Sequence, residues 1–297
     1  MENKANLFIV GAAKCGTTSL YEYLSQHPEI YMSPIKEPHF FSDNVKSLNK
    51  DLYRNPVKGE KVHTRIIRDA KVYASLFEEG RYHKIRGDAS PSYLWDVMAA
   101  QKIYNYNNEA KIIIMLRNPV KRLISQYQMA QSLGIHSNKP FLELIKEEFK
   151  KKNKIWGIDH IYIDLGFYHE QVARYTCLFP SSQILILKFE DFITNKRETL
   201  NRVFTFLAVD DNVDLHIDDV YNSTTHPKYA FIKRFRRNKF LKKIISLLGT
   251  KKALLKEKLF TEGYDNKIVI DEKAIEYLEN IYGPDLQKLR EDYNIQF

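Results

Sequence analysis

Gly11-Ala12-Ala13-Lys14-Cys15-Gly16-Thr17-Thr18-Ser19 is the stretch on which the fold of this chain turns. It follows the apolar run Leu7 to Val10, which suits a buried strand. It precedes Thr18 to Gln26, where Leu20, Tyr23 and Leu24 recur at helical spacing. Strand, glycine-containing loop and helix in that order form a cradle in which backbone N–H groups and a helix N-terminus face an anion. The glycine spacing is that of a Walker A loop, yet the lysine that such a loop aims at terminal phosphates is missing. Thr17 stands in its place, and a lysine appears upstream at Lys14. That exchange argues against hydrolysis of ATP or GTP.

Outward from this loop, Glu29 to Met32 is short and β-compatible, and Ser33 to Pro38 reads as a loop whose two prolines resist helix formation. From Ser42 to Gly87 the text is charged and shows no strong strand. Asp69 to Glu79 is its best helix candidate, and Asp88 to Tyr93 reads as a loop. Lys111 to Leu116, a lysine followed by five apolar residues, suits a central parallel strand. Arg117-Asn118-Pro119 breaks it, and Pro119 opens a helix through Leu123, Tyr127 and Ala130. Ser137 to Lys154 reads as a polar turn and surface helix, Tyr168 to Phe179 as a helix, Gln183 to Phe189 as a strand and Thr194 to Leu207 as the helix after it. The alternation predicts an α/β fold of the P-loop type, three layers deep, with a central mostly parallel sheet flanked by helices and right-handed crossovers. The 297 residues, 44% of them hydrophobic, can build one large core, and no repeat or Gly/Ser linker divides them. Residues 1–297 are therefore read as a single domain.

Two cysteines, Cys15 and Cys177, cannot frame a chain of this length with disulfides, and neither clusters with histidine as a zinc site requires. The first apolar run is too brief for a secretory segment or a membrane span, so the expected location is cytoplasmic. A formal net charge of +9 favours anionic partners without choosing among nucleotides, acidic glycans and lipid headgroups.

A nucleotide with a second, separate phosphate needs a cationic site away from the first loop. Arg117, at the carboxyl end of the central strand, and Ser125, on the helix that follows, supply one. Taken singly, Arg117 reads as a helix-entry salt bridge and Ser125 as a solvated helix position. Three ordered motifs lift them out of that reading: Lys14-Cys15-Gly16-Thr17-Thr18-Ser19-Leu20, then Lys36-Glu37-Pro38-His39-Phe40-Phe41, then Leu116-Arg117-Asn118-Pro119 with Arg122 and Ser125. Together they resemble sulfotransferases that use 3′-phosphoadenosine-5′-phosphosulfate (PAPS), above all the heparan sulfate N- and 3-O-sulfotransferase branch and its bacterial relatives. The likeness is clearest from residue 7 to about 130 and weaker through Gly166 to Asp191.

The resemblance implies a PAPS site made by Gly11, Ala13, Lys14, Cys15, Gly16, Thr17, Thr18 and Ser19, with Arg117 and Ser125 on the 3′-phosphate. Lys14 suits the cation that stabilises the departing bridge oxygen. Glu37 maps onto the catalytic base, and a carboxylate within hydrogen-bond reach can take the proton of an attacking hydroxyl or amine. His39 is the alternative base or a positioning group. Lys36, Asp88 and Ser90 are expected beside the substrates. Here Asp88-Ala89-Ser90 replaces the Glu-Lys-Ser of related enzymes, so either Lys36 supplies the lost cation or the acceptor differs. No metal is expected.

Residues 219–262 form a basic, partly amphipathic segment, read as a solvated helix face, a lid on the donor, or a contact with an acidic glycan or membrane surface. Its Thr225-His226-Pro227-Lys228 is similar to a step that follows a basic triplet in heparan-type enzymes. Asn222-Ser223-Thr224 replaces that triplet, leaving Lys228 as the donor-binding candidate. The expected product is a sulfated saccharide or glycolipid, with no nucleic-acid partner. A P-loop kinase and a non-enzymatic module for polyanions or membranes are the rival readings.

Overall fold

The computed structural model describes residues 4–57, 59–133, 135, 139–217, 225–227, 260–262 and 270–297. In chain order the strands are β1 (Leu7–Gly11), β2 (Ile30–Met32), β3 (Ile35–Glu37), β4 (Val62–Thr64), β5 (Ile85–Ala89), β6 (Lys111–Leu116), β7 (Ile184–Lys188), β8 (Thr225–Pro227) and β9 (Phe260–Glu262). The helices are α1 (Thr17–Leu24), α2 (Ala70–Ser75), α3 (Ser92–Trp95), α4 (Ala99–Tyr106), α5 (Pro119–Ser132), α6 (Phe141–Lys150), α7 (Tyr168–Thr176), α8 (Phe189–Thr194), α9 (Lys196–Leu207) and α10 (Glu272–Tyr293).

Five strands form the central sheet in the order β2-β5-β1-β6-β7, and every pairing in it is parallel. β1 is buried at every residue and β6 at all but Lys111, the pattern of strands covered on both faces. The cover comes from Leu20, Tyr23 and Leu24 of α1, Tyr93 and Leu94 of α3, Val172 and Tyr175 of α7, and Leu200, Val203 and Phe204 of α9. A second cluster joins Leu123 and Tyr127 of α5, Ile145 of α6, and Leu278 and Tyr282 of α10. The predicted α/β layering, the phosphate-loop supersecondary unit and the central strand 111–116 are all present.

Two expectations give way. Residues 85–89, read as the end of a charged stretch and the start of a loop, form β5, the strand between β1 and β2. Its polar residues are tolerated because each finds a partner elsewhere in the fold. Arg86 donates to the Lys4 and His83 carbonyls, and the Asp88 carboxylate accepts three hydroxyl hydrogen bonds. Residues 35–37, read as loop, form β3, which pairs in parallel with β4 as a separate two-stranded sheet. Pro34 and Pro38 lie just outside this strand, where a missing N–H costs no ladder bond.

The basic segment 219–262 lies outside the described residues except for β8 and β9, which pair antiparallel; β8 lies against α5. Among the described residues no helix is long and apolar enough to cross a membrane.

Candidate active site

The loop after β1 is fixed by its own backbone and by two close approaches. The Ala12 N–H donates to the Met115 carbonyl of β6 at 2.6 Å, and the Cys15 N–H to the Ala12 carbonyl at 3.3 Å. Gly16 caps α1 at φ 85°, a left-handed conformation that favours glycine, and no side chain caps the helix there. A Cβ on Gly16 would lie 2.8 Å from the Phe189 ring, and one on Gly11 would lie 2.6 Å from Leu94 Cβ. The N–H groups of Gly16, Thr17 and Thr18 have no acceptor inside the helix, as the first turn of any helix requires. They point to where an anion would sit.

Cys15 contributes its backbone alone. Its side chain is fully buried, with Sγ 3.6 Å from the Ala13 carbonyl oxygen and 3.9 Å from the Tyr168 hydroxyl. Burial pushes the thiol up to about 12, so at neutral pH it is protonated and unreactive. Tyr168 in turn donates to the Arg117 carbonyl at 2.9 Å. Its helix, α7, has no local side-chain cap and is capped from afar: the Asp285 carboxylate of α10 accepts the N–H groups of Tyr168 and His169. The C-terminal helix thus holds the residue that ties the phosphate loop to the end of β6.

Two cations meet at this point. Lys14, at φ 67°, sends Nζ to 3.3 Å from Met129 Sδ on α5, and the Arg117 guanidinium donates to the Lys14 carbonyl at 3.3 Å. Arg117 Cζ lies 4.5 Å from the centre of the Phe189 ring, and its buried Nε has no hydrogen-bond partner. No carboxylate among the described residues forms an ion pair with either. Burial lowers the pKa of both groups, and for Lys14 the charge of Arg117 lowers it further. Closely spaced, desolvated positive charge beside a ring of free amides is stabilised by an anion. Ser125 precedes Met129 by four residues on α5 and so shares its helix face, the face that Lys14 Nζ touches. Arg122, by contrast, is fully buried: it donates to Gln126 Oε1 at 2.7 Å and to the Tyr162 carbonyl, a structural tie.

The second cluster surrounds Glu37, 16% exposed at the end of β3. Its backbone carbonyl accepts from the Thr64 hydroxyl and the Arg65 N–H, so β4 fixes its position. Lys36 Nζ lies 3.0 Å from Oε1, His63 Nε2 3.3 Å from Oε1 and His39 Nε2 3.5 Å from Oε2. Burial pushes this carboxyl up, but the Lys36 ammonium, the His63 hydrogen bond and the two imidazoles overcome it and hold the group well below the usual carboxylate range. Glu37 is therefore ionised. His39 is buried, and burial pushes it down to about 4, so it is neutral at pH 7. An ionised carboxylate only accepts, so the His39 proton lies on Nε2, and the bare Nδ1 accepts from the Ser92 hydroxyl at 2.8 Å. Ser92 in turn accepts from Ser42 at 2.8 Å. Arg68 clamps the same loop by donating to the His39, Ser42 and Val45 carbonyls.

The sequence placed Asp88 and Ser90 against the substrates. Both are fully buried and bonded inward: Asp88 accepts from Tyr73 at 2.9 Å, Tyr93 at 2.7 Å and Ser90 at 2.9 Å, and Ser90 accepts the His39 N–H at 3.3 Å. They form the floor beneath His39. Lys36 is 3% exposed and committed to Glu37. Lys228 lies outside the described residues. On the outer side of His39 stands Trp156, its ring 6.4 Å from the imidazole and 6.2 Å from half-buried Trp95. The Trp156 backbone is bonded to Asn44 and Lys46, which makes it a wall of the same cleft. His63 was not anticipated. It lies in a charged stretch without a strand pattern, and only the β3–β4 pairing brings it to Glu37.

An amide cradle with two cations free of ion pairs among the described residues, beside an ionised carboxylate, suits transfer of an anionic group from a nucleotide to a nucleophile that must lose a proton. The comparisons agree. The sulfotransferase domain family matches residues 4–290. The crystal structure of a sulfotransferase from Alicyclobacillus acidocaldarius superposes with a TM-score of 0.71 at 28% identity, covering 99% of this chain and 97% of that one. Mouse carbohydrate sulfotransferase 15 is 29% identical over 243 residues, covering 68% of this chain and 43% of its own. Human heparan sulfate glucosamine 3-O-sulfotransferase 3B1 is 28% identical over 204 residues, covering 68% and 45%. The chain thus spans under half the length of these curated relatives. With a family match over nearly its whole length and a superposable bacterial structure, this chain belongs to the sulfotransferase domain family.

Proposed function

We propose that this protein transfers the sulfuryl group of PAPS to a saccharide hydroxyl or amine by in-line displacement. The observation that carries the reading is the meeting of two cations without an ion-pair partner among the described residues, Lys14 and Arg117, at a phosphate loop whose Walker lysine position is Thr17. The loop amides take the 5′-phosphate, and Arg117 with Ser125 takes the 3′-phosphate. The acceptor oxygen or nitrogen forms its bond to sulfur as the bond from sulfur to the bridging phosphate oxygen breaks. The bridging oxygen keeps the electron pair, and Lys14 stabilises the charge that develops on it. The acceptor proton passes to Glu37. Its low proton affinity makes this a late transfer, completed once bonding to sulfur has acidified the acceptor group.

The names of the curated relatives, one acting on carbohydrate and one on heparan sulfate glucosamine, support a saccharide acceptor. The Trp95 and Trp156 wall beside His39 suits the apolar face of a sugar ring. Changing Glu37 to Gln tests the base. Binding of 3′-phosphoadenosine 5′-phosphate (PAP) should be retained, while turnover falls about 10²–10⁴-fold, the usual worth of general base catalysis. Full turnover in the Gln variant would remove Glu37 from the chemistry.

A further inference from the structure

Glu37 is gripped by three donors, and they are not equivalent. Lys36 and His39 are buried, with side chains 3% and 4% exposed, whereas His63 is 55% exposed and reaches Glu37 from β4. An ionised carboxylate offers about four acceptor positions. Lys36 Nζ and His63 Nε2 both face Oε1, at 3.0 and 3.3 Å, whereas Oε2 is approached by His39 Nε2 alone, at 3.5 Å, so Oε2 is the more open of the two oxygens. The pairing of Ile35 with Val62 and of Glu37 with Thr64 sets His63 beside Lys36 in register.

The strand that delivers His63 is itself tied down at both ends. Val62 donates to the Pro34 carbonyl, and Thr64 and Arg65 to the Glu37 carbonyl. Glu60, two residues before β4, binds Arg65 at 2.7 Å and Arg54 at 2.6 Å.

We propose that His63 is a positioning residue for the sulfuryl transfer: it holds Oε1 of Glu37 so that the more open oxygen, Oε2, faces the attacking group. The inference rests on the function proposed above. Lys36 and His39 are buried while His63 is largely exposed, so its replacement should leave the fold intact. Without His63 the carboxylate keeps its charge but loses one of the two contacts that fix Oε1, and Oε2 is no longer aimed.

The test compares wild type, His63→Ala and His63→Gln, measuring PAP release from PAPS with heparan sulfate oligosaccharides and with water as acceptors, PAP affinity by calorimetry, and thermal unfolding. Glutamine returns an N–H donor at similar reach. The Ala variant should lose roughly 10- to 100-fold in kcat, with PAP affinity and the KM for PAPS within about twofold of wild type. The Gln variant should recover to within about threefold. Donors to a carboxylate favour its charged form, so the acid limb of the Ala variant should move to higher pH. An Ala variant as fast as wild type overturns the inference. So does a Gln variant as slow as Ala, or a loss of kcat that tracks lost PAP affinity or lost stability. A wild type that binds no PAP overturns the proposed function and this inference together, whereas a wild type that binds and turns over beside an unaffected Ala variant overturns this inference alone.

Discussion

Changing Gly16 to Ala should cost about 2–5 kcal/mol, from two sources that can be separated. Gly16 holds φ 85°, and a residue with a Cβ is less stable in that conformation by about 1–2 kcal/mol. The new Cβ would also lie 2.8 Å from Phe189 Cδ2 and 3.0 Å from Cε2, an overpacking contact that typically costs about 1–3 kcal/mol. Urea unfolding of Gly16→Ala, Phe189→Val and the double variant resolves the two. Val at 189 removes the crowding ring, so in that background the Ala substitution should cost only the conformational part, and the two changes should be coupled by about 1–3 kcal/mol. Additivity within about 0.5 kcal/mol would show that the loop and α8 do not press on each other. Phe189 also carries the Arg117 guanidinium on its face, so Gly16→Ala should weaken PAP binding beyond its effect on folding.

Replacing Lys14 with Met should lower kcat about 10²–10³-fold while PAP affinity stays within about threefold, read by steady-state kinetics beside calorimetry. Replacing Arg117 with Ala should do the reverse, weakening PAP about 10–150-fold, the worth of a charged hydrogen bond of about 1.5–3 kcal/mol, without a matching loss in kcat at saturating donor. Burial pushes Asp88 from an ordinary 3.8 up to about 7. Below about pH 4 the folded and unfolded chains both hold this proton and the stabilisation is fully present; from there to about pH 7 only the folded chain keeps it, so stability falls as pH rises, by up to about 4 kcal/mol. Asp88→Asn, which cannot titrate but keeps an oxygen for Tyr73 and Tyr93, should flatten that part of the unfolding profile.

What could be read from the sequence is what is encoded locally. Leu7 to Val10 and Lys111 to Leu116 are apolar runs because both faces of those strands are covered, and the glycines, Thr17 and Lys14 state the loop's chemistry within nine residues. β5 escaped notice because Arg86 and Asp88 break the apolar pattern, and the groups that neutralise them lie in other parts of the chain. Asp88 and Ser90 were placed beside the substrates by resemblance; their inward bonding could not be read, since Tyr73 is fifteen residues from Asp88 and its hydroxyl cannot be inferred from spacing. β3 and β4 are three residues each, too short for periodicity, and their pairing spans a charged stretch. His63 could only be found once that pairing was seen. Glu37 and His39 were legible through resemblance, but the ring's contact on its far side was not, because Ser92 is 53 residues away in the chain.

Sulfuryl transfer is measured by incubating the protein with PAPS and a panel of neutral and acidic oligosaccharides, without magnesium, and following PAP release together with the acceptor's mass. PAP and an acceptor heavier by one sulfuryl group should form in equal amounts, about 10²–10⁴-fold more slowly in Glu37→Gln. A phosphorylated acceptor formed only with magnesium and ATP would contradict sulfuryl transfer.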